Sequence, residues 1–262
     1  IRNMSFIMRP IRFASTGHTI EGSGLLDGSS GYLTKTFGSA GDSNKIFTIE
    51  FIVKRVSIDA SQHYLCKSED ASLGNIAVFW HSSPANSLRI DIGTGTLITT
   101  QLFRDPAAYM QIVLSVDTTQ ATAANRVKLY INGTQIIDFS TETYPALNQT
   151  QSWGQDNVNN LFATLSPSAY VSDYCARITS IDGQALAPTD FGEVTDDGFW
   201  QINDASELTF GNNGFLIEGG ANVSIGNDTS VGAALTGTWE SSAVSTANVS
   251  AGGTYTFSSQ DI

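Results

Sequence analysis

Apolar and polar positions alternate along much of the chain with a period of two, which is the pattern of half-buried β-strands. In residues 46–56 the apolar side chains occupy every second position from Phe47, and the positions between them include Thr48, Glu50 and Lys54. One face of such a strand packs on a core and the other faces solvent. The pattern therefore predicts an antiparallel strand that is buried on one side only.

The sharpest turn signal in this pattern is the Asn-Gly pair at residues 132–133, which joins two apolar runs. Both residues tolerate the positive φ that a type I′ hairpin turn requires. A two-residue turn fixes the register of the hairpin, so Leu129 is expected opposite Ile136. The other face, which includes Tyr130 and continues to Phe139, is predicted to be either a second packed layer or a binding surface.

A long polar segment, residues 140–160, follows the hairpin and contains almost no aliphatic side chains. A loop of this length in a compact domain is either functional or disordered. Sugars stack their C–H faces on aromatic rings, while carboxylates and amides bond their hydroxyls. Tyr144, Trp153 and Asp156 are therefore the predicted glycan-binding cluster. The alternative for Trp153, as for Trp80, Trp200 and Trp239, is packing in the core.

The composition changes toward both ends of the chain. Residues 1–12 contain no acidic side chain and are predicted to be either a solvated leader or an arm that anchors the protein to a larger assembly. The basic side chains of this arm are Arg2, Arg9 and Arg12. Residues 13–195 carry the strand pattern of the main domain. Residues 196–262 become rich in Gly, Ser and Thr and form a β-rich extension that either stands apart or completes that domain.

The composition limits the classes of protein that fit. With 262 residues, the chain can bury a large core, and 24 glycines suit many short strands joined by tight turns. The fold class is therefore all-β. The net charge of −12 argues against nucleic acid as a partner, because phosphate binding needs a basic patch. No apolar run approaches 18 residues, so no membrane span is expected.

The sequence leaves two questions open, namely whether the two cysteines form a disulfide and whether acidic and amide side chains bind calcium. Cys66 and Cys175 lie in separate apolar runs, fit no metal motif, and are either buried free thiols or a disulfide. Calcium is an alternative without a committed ligand set. Asp117 and Asn125 are expected near a rim of the fold, and Asp156 and Asn157 lie in the polar segment. Asp and Asn are also common turn residues.

Catalytic motifs are missing from the sequence. No glutamate is followed by aspartate at the second position, a spacing that would place paired carboxylates on one face of a strand, as glycoside hydrolysis needs. No Gly-x-Ser-x-Gly elbow occurs, and His18, His63 and His81 stand in unrelated segments, where they are expected at the surface or at strand edges. The sequence therefore predicts a protein that is not an enzyme.

Four stretches together resemble concanavalin A-like, laminin-G-type jelly-roll domains of the kind found in bacteriophage tail-fibre and virion surface proteins. They read DGSSGYLTKTF, FTIEFIVKR, AAYMQIVLSVDTTQATAANRVKLYINGTQI and ITSIDGQALAPTDFGE. The later NNGFLIEGGANVSIGNDTSVG resembles the segment that follows the jelly roll in those proteins. The resemblance implies two antiparallel sheets packed face to face. It does not imply one chemistry, because this fold carries lectins, calcium binders, glucanases and structural virion domains.

These observations lead to one functional expectation with two alternatives. The chain is expected to be a non-catalytic virion surface protein of a bacteriophage, in a tail fibre or as a head decoration, that contacts host surface glycan. It is expected to form a homo-oligomer and to join other virion proteins through the N-terminal arm. The first alternative is a secreted cellular carbohydrate-binding module or adhesin of the same fold, and the second is a glycan-degrading enzyme.

Overall fold

The computed structural model describes residues 17–219, residues 228 and 230, and the backbone of residues 240–242. The strands are, in chain order, β1 (Gly24–Leu25), β2 (Tyr32–Thr36), β3 (Ile46–Arg55), β4 (His63–Ser68), β5 (Ile76–Ser82), β6 (Ala85–Ile92), β7 (Gly95–Leu102), β8 (Met110–Asp117), β9 (Val127–Ile131), β10 (Thr134–Ile136), β11 (Phe139–Thr143), β12 (Val158–Leu161), β13 (Asp173–Asp182), β14 (Gly192–Val194), β15 (Trp200–Ile202), β16 (Phe215–Glu218) and β17 (Glu240–Ser242). Short 3₁₀ helices span Ala123–Asn125 and Pro188–Asp190. Within these described ranges, no helix is long and apolar enough to cross a membrane.

Two large antiparallel sheets contain most of the strands. One has seven strands in the order β1-β13-β3-β8-β9-β10, with β16 also paired to β13, and the other has eight in the order β11-β7-β6-β5-β4-β12-β2-β17. Their inner faces form one apolar core, to which β3 contributes Phe47, Ile49 and Phe51 and β5 contributes Ile76 and Val78. The predicted all-β class is confirmed.

The predicted hairpin has the expected register. Leu129 pairs with Ile136, and the two turn residues 132 and 133 have φ of 47° and 75°. The prediction that Phe139 shares a hairpin face with Tyr130 is wrong. Strand β10 ends before it, and Phe139 begins β11, which pairs with β7 in the other sheet. The chain thus changes sheets directly after the hairpin.

The outer face of the seven-stranded sheet is covered by residues 184–213, which we call the covering segment. Phe191 of this segment packs against Val113 of β8, and the Thr48 side chain donates a hydrogen bond to the carbonyl of Gln184 (2.8 Å). The polar side of β3 is therefore buried, and Glu50 has no exposed surface. The prediction that only one face of this strand is buried is wrong, because the alternation could not reveal that a distant segment folds over the polar side.

Both cysteines are free and buried, which decides between the two predicted alternatives. Cys66 lies on β4 and Cys175 on β13, so they belong to different sheets. Burial in the apolar core raises the pKa of the Cys66 thiol to about 12 and also raises that of Cys175.

The predicted extension begins within the described part of the chain. Strand β16, at Phe215–Glu218, pairs with β13 in the seven-stranded sheet, and β17, at Glu240–Ser242, pairs with β2 in the other. The predicted arm at residues 1–12, with Arg2, Arg9 and Arg12, lies outside the described residues, as does Trp239.

Candidate functional site

Residues 151–155 of the polar segment, which contains the predicted glycan cluster, are buried and make structural hydrogen bonds. Trp153 is 2% exposed and belongs to the main core, and its indole Nε1 donates to the hydroxyl of Ser180 (3.0 Å). The main-chain N–H of Gln151 donates to the carbonyl of Asn44 (2.6 Å). The polar composition of the segment thus serves buried hydrogen bonds, and Trp153 offers no open ring for a sugar.

The other two members of that cluster lie in different surroundings. Tyr144 packs partly on the core, and its hydroxyl donates to Glu142 (2.8 Å). Burial, together with this carboxylate, raises the pKa of Tyr144 to about 12. Asp156 is exposed. The structure therefore does not assemble Tyr144, Trp153 and Asp156 into an aromatic platform.

The outer face of the eight-stranded sheet carries a second aromatic group, but its rings cover one another. Tyr64 stacks on Phe79 with centroids 4.4 Å apart and an interplanar angle of 12°. On the neighbouring strand, the guanidinium of Arg89 lies 5.5 Å from the centre of the same Phe79 ring. Phe79 is consequently 2% exposed, so its ring is not available to a sugar.

A cavity of about 500 Å³ lies on the outer face of the seven-stranded sheet, and we call it the outer pocket. This volume falls within the range of small-molecule sites. Its aromatic members are Tyr109, Phe199 and Trp200. Its aliphatic members include Ile20, Ile52, Met110, Ala176 and Ile202, and its polar members include His18, Ser23, Gln111, Asn132 and Gln201.

Trp200 of β15 forms one wall of the pocket and is held by contacts on several sides. Its indole Nε1 donates to the Oε1 of Gln111 (2.7 Å). Its ring lies against Gly133 and Gly192, where a Cβ at either position would overlap ring carbons. Gly133 therefore serves the hairpin turn and also makes room for the Trp200 ring. The preceding Phe199, in contrast, is 72% exposed.

Gln111 links this wall to a buried ionic cluster beneath the covering segment. Its Nε2 donates to Glu50 Oε1 (2.6 Å), and the same carboxylate accepts from Nη2 (2.6 Å) and Nε (3.0 Å) of Arg177. Thr179 Oγ1 also donates to Glu50 (2.5 Å). Burial acts to lower the pKa of Arg177, but Glu50 and Glu218 together outweigh it, so that pKa lies above its ordinary value.

A β-bulge shapes the floor of the pocket. In the pairing of β13 with β3, Cys175 lies opposite Val53 and Arg177 lies opposite Ile52, which leaves Ala176 as the extra residue. The bulge allows two consecutive side chains to leave from the outer face. Arg177 reaches the buried carboxylate, and Ala176 lines the pocket beside Ile52.

Tyr109 forms a second aromatic wall. Its hydroxyl lies 2.6 Å from the Oγ of Ser23, and the ammonium of Lys54 sits 5.2 Å from the centre of its ring. At the far end, His18 Nε2 lies 2.8 Å from Glu218 Oε1, and Glu218 also accepts from Arg177 (3.5 Å). The polar groups of the wall are thus tied to protein partners, which gives the pocket a fixed shape.

The remaining histidines are held by local contacts. His63 Nδ1 lies 2.6 Å from the carbonyl of Tyr170, and its Nε2 lies 3.0 Å from Asp59. His81, on β5, is 8% exposed and sits beside Arg89. The expectation of a surface or edge position is therefore wrong for His81, because neighbouring side chains on its sheet face cover it.

The residues considered for calcium are engaged locally. Asp117 accepts from Thr119 Oγ1 (2.6 Å) and from Gln120 Nε2 (2.5 Å). Burial acts to raise the pKa of Asp117, but these hydrogen bonds outweigh it, so that pKa is lowered. Asn125 ends the short helix Ala123–Asn125 on the exposed surface. In the part of the chain that the structure describes, no three His, Cys, Asp or Glu side chains group as metal ligands.

Sequence reasoning missed the residues that form the outer pocket. Tyr109 sits in a stretch that carries the family resemblance, but no sequence pattern marks it as a binding residue, and for Trp200 the sequence indicates only possible packing in the core. One local signal was present: the aromatic pair Phe199-Trp200 directly follows the turn sequence Asp196-Asp197-Gly198. The contact of this pair with the Asn-Gly hairpin, about 70 residues earlier, is tertiary.

No protein-family model and no curated protein sequence matches the chain. Among solved structures, the chain is similar to a heptameric SAP-like pentraxin from Limulus polyphemus, with 11% identity, a TM-score of 0.45, and coverage of 70% of this chain and 96% of the pentraxin. It is also similar to the CBM40 of Ruminococcus gnavus IT-sialidase (14% identity, TM-score 0.40, 64% and 93% coverage). A third similar structure is domains LG4-5 of the mouse laminin α1 chain, with 12% identity, a TM-score of 0.41, and coverage of 66% of this chain and 44% of the laminin chain. The two antiparallel sheets of this chain pack around one apolar core and form a β-sandwich.

Proposed function

We propose that this chain is a non-catalytic, lectin-like protein that binds glycan in the outer pocket. The observation that carries the proposal is the combination of three aromatic side chains, Tyr109, Phe199 and Trp200, with amide side chains around a cavity of about 500 Å³. Aromatic rings accept the C–H faces of a pyranose, and amides bond its hydroxyl groups. In the polar segment Trp153 is buried, and on the outer face of the eight-stranded sheet the Phe79 ring is covered by Tyr64 and Arg89.

The polar members of the pocket support binding rather than hydrolysis. Glycosidases place a pair of carboxylates on either side of the scissile bond. Among the described residues that line the outer pocket, none is aspartate or glutamate. Glu50, on the outer side of β3, is fully buried and saturated by Arg177, Thr179 and Gln111. Glu218 does not line the pocket and is engaged by His18 and Arg177.

The binding proposal is tested by a matched pair of truncations. Phe199 and Ile137 are both 72% exposed, but only Phe199 lines the pocket. With a panel of immobilised bacterial surface glycans and simple oligosaccharides, we expect Phe199→Ala to weaken retention about tenfold, which corresponds to roughly 1.4 kcal/mol. Ile137→Ala should bind like the parent chain. Equal binding by all three proteins, or no binding by the parent chain, would contradict the proposal.

The absence of catalysis is tested on the same glycans. After prolonged incubation with any polysaccharide that the protein retains, we expect the chain-length distribution to stay unchanged. Shortened chains that disappear with a heat-inactivated sample would show a glycan-degrading enzyme instead.

We further propose that the protein acts on the surface of a bacteriophage virion as a homo-oligomer. The resemblance of its strand and hairpin stretches to phage tail-fibre and virion proteins supports this location, and the basic arm with Arg2, Arg9 and Arg12 suits an anchor on an acidic assembly. Mass spectrometry of purified particles should detect the chain in a fixed copy number. Deletion of residues 1–12 should reduce its incorporation. Recovery only from cell-free medium would favour a secreted carbohydrate-binding module.

A further inference from the structure

The outer pocket is chemically asymmetric, and its floor is aliphatic. Ile20, Ile52 and Ala176 form a closed apolar cluster, each between 5% and 8% exposed, with Tyr109 and Ile202 packed against it. All five side chains line the cavity. A ligand that reaches the floor therefore meets hydrocarbon rather than hydrogen-bonding groups.

The Gln111 amide, which lines the same pocket, is already engaged by protein partners. Gln111 Nε2 donates to Glu50 (2.6 Å) and to the carbonyl of Phe191 (3.1 Å), while its Oε1 accepts from Trp200 (2.7 Å). A sugar hydroxyl placed against the floor would lose water without gaining a hydrogen bond from the hydrocarbon side chains there, which is unfavourable. Burial of a methyl group in the same place would be favourable, because it removes apolar surface from water.

The size of residue 176 sets the space above the floor. The bulge in β13 turns Ala176 outward, where a regular strand pairing would have no extra residue. Its main-chain carbonyl accepts from the N–H of Gly219 (2.8 Å), which holds the bulge in place. Because the bulged residue is alanine, its side chain adds only one methyl group beside Ile52 to the floor, where a larger side chain would take up cavity volume.

We infer that the outer pocket selects sugars that carry a methyl group, as an N-acetyl substituent or as the C6 of a 6-deoxyhexose, and seats that methyl on Ile52 and Ala176. This inference rests on the proposed glycan binding at the same pocket. The aromatic walls hold the ring of the sugar, and the aliphatic floor reads its substituent.

The test compares matched sugars on the full chain by isothermal titration. One pair is N-acetylglucosamine with glucose, and another is L-fucose with L-galactose, each as the methyl glycoside. We expect the methyl-bearing member of at least one pair to bind about tenfold more tightly, or roughly 1.4 kcal/mol. The two pairs distinguish an acetyl methyl from a ring-attached methyl. A ratio near one in both pairs overturns the inference.

Two variants assign the preference to the floor. Ala176→Ser puts a hydroxyl there with little change in volume, and we expect the ratio between matched sugars to fall to about threefold or less. Phe199→Ala should weaken both members of a pair and leave their ratio unchanged. If Ala176→Ser keeps the full ratio, the methyl is seated elsewhere and the inference is wrong. If that variant does not fold, the ratio measured on the parent chain alone decides.

The failures of the two proposals are distinguishable. If the parent chain binds no sugar or glycan, both the proposed function and the selection are overturned. If binding occurs and Phe199→Ala weakens it, but matched sugars bind equally, glycan binding stands and only the selection by the floor is overturned.

Discussion

Some single residues in this protein have two structural roles, and Gly133 is one of them. Its φ of 75° is required by the hairpin turn, and its missing Cβ leaves room for the Trp200 ring. The neighbouring Asn132 also acts twice. It adopts positive φ, and its side-chain Oδ1 accepts from the N–H of Gln111 (2.8 Å), which continues the ladder beyond the paired strands.

Substitution of Gly133 measures both effects, the positive φ of the turn and the contact with the Trp200 ring. Gly133→Ala should cost about 1–2 kcal/mol for the left-handed conformation and about 1–3 kcal/mol more for displacing Trp200. Gly198→Ala is the matched control, because Gly198 has φ of 84° but a Cβ there would meet nothing within 4 Å. Urea unfolding should show a clearly larger loss for Gly133→Ala. Equal losses would mean that the Trp200 contact adds nothing.

At the scale of elements, the covering segment is held to the seven-stranded sheet by polar as well as apolar contacts. The cluster around Glu50 joins three strands, through Glu50 on β3, Gln111 on β8 and Arg177 on β13. Arg177 also donates to the carbonyl of Asn203 in the covering segment (2.8 Å). The same cluster positions Trp200, so the stability of this layer and the shape of the outer pocket depend on one buried carboxylate.

Removal of the charge on Glu50 should therefore be costly. Glu50→Gln removes the close counter-charge of the buried Arg177 guanidinium and leaves it only Glu218, at 3.5 Å. We expect the free energy of unfolding to fall by about 3–5 kcal/mol. Glu69→Gln is the control. Glu69 pairs with Lys67 at 3.2 Å, but its side chain is 59% exposed, so a loss of about 0–1 kcal/mol is expected. A small effect at both positions would show that the cluster does not stabilise the layer.

At the scale of the whole molecule, one apolar core unites the two sheets. Cys66 contributes to it from the eight-stranded sheet and Cys175 from the seven-stranded sheet. Both thiols are buried and their pKa values are raised, so almost no thiolate forms near pH 8 in the folded protein. The two cysteines are therefore natural reporters of whether the sandwich opens as a single unit.

Thiol labelling checks this cooperativity. In native buffer near pH 8, we expect iodoacetamide to modify neither cysteine, and in increasing urea we expect both to become reactive with the same midpoint. Mass spectrometry of the labelled peptides gives the two curves separately. Labelling of Cys66 well before Cys175, or the reverse, would show that one sheet opens while the other stays folded.

The sequence by itself determined the elements whose signals are local. Period-two alternation predicted β3, and the Asn-Gly pair predicted the β9–β10 hairpin and the register of Leu129 with Ile136, because strand periodicity and turn geometry depend on neighbouring residues. The all-β class and the two-sheet sandwich followed from many such signals and from the family resemblance.

The tertiary structure decided which polar and aromatic residues are buried, and hence where a ligand can bind. The sequence left Trp153 open between glycan binding and core packing, and the structure places its ring in the core, where its polar neighbours bond buried backbone. Glu50 looked solvent-facing until the covering segment closed over it. The outer pocket brings Tyr109, Ala176 and Trp200 together from three separate strands or loops. Burial depends on which distant segments pack against a residue, and the periodicity of one strand does not predict those segments.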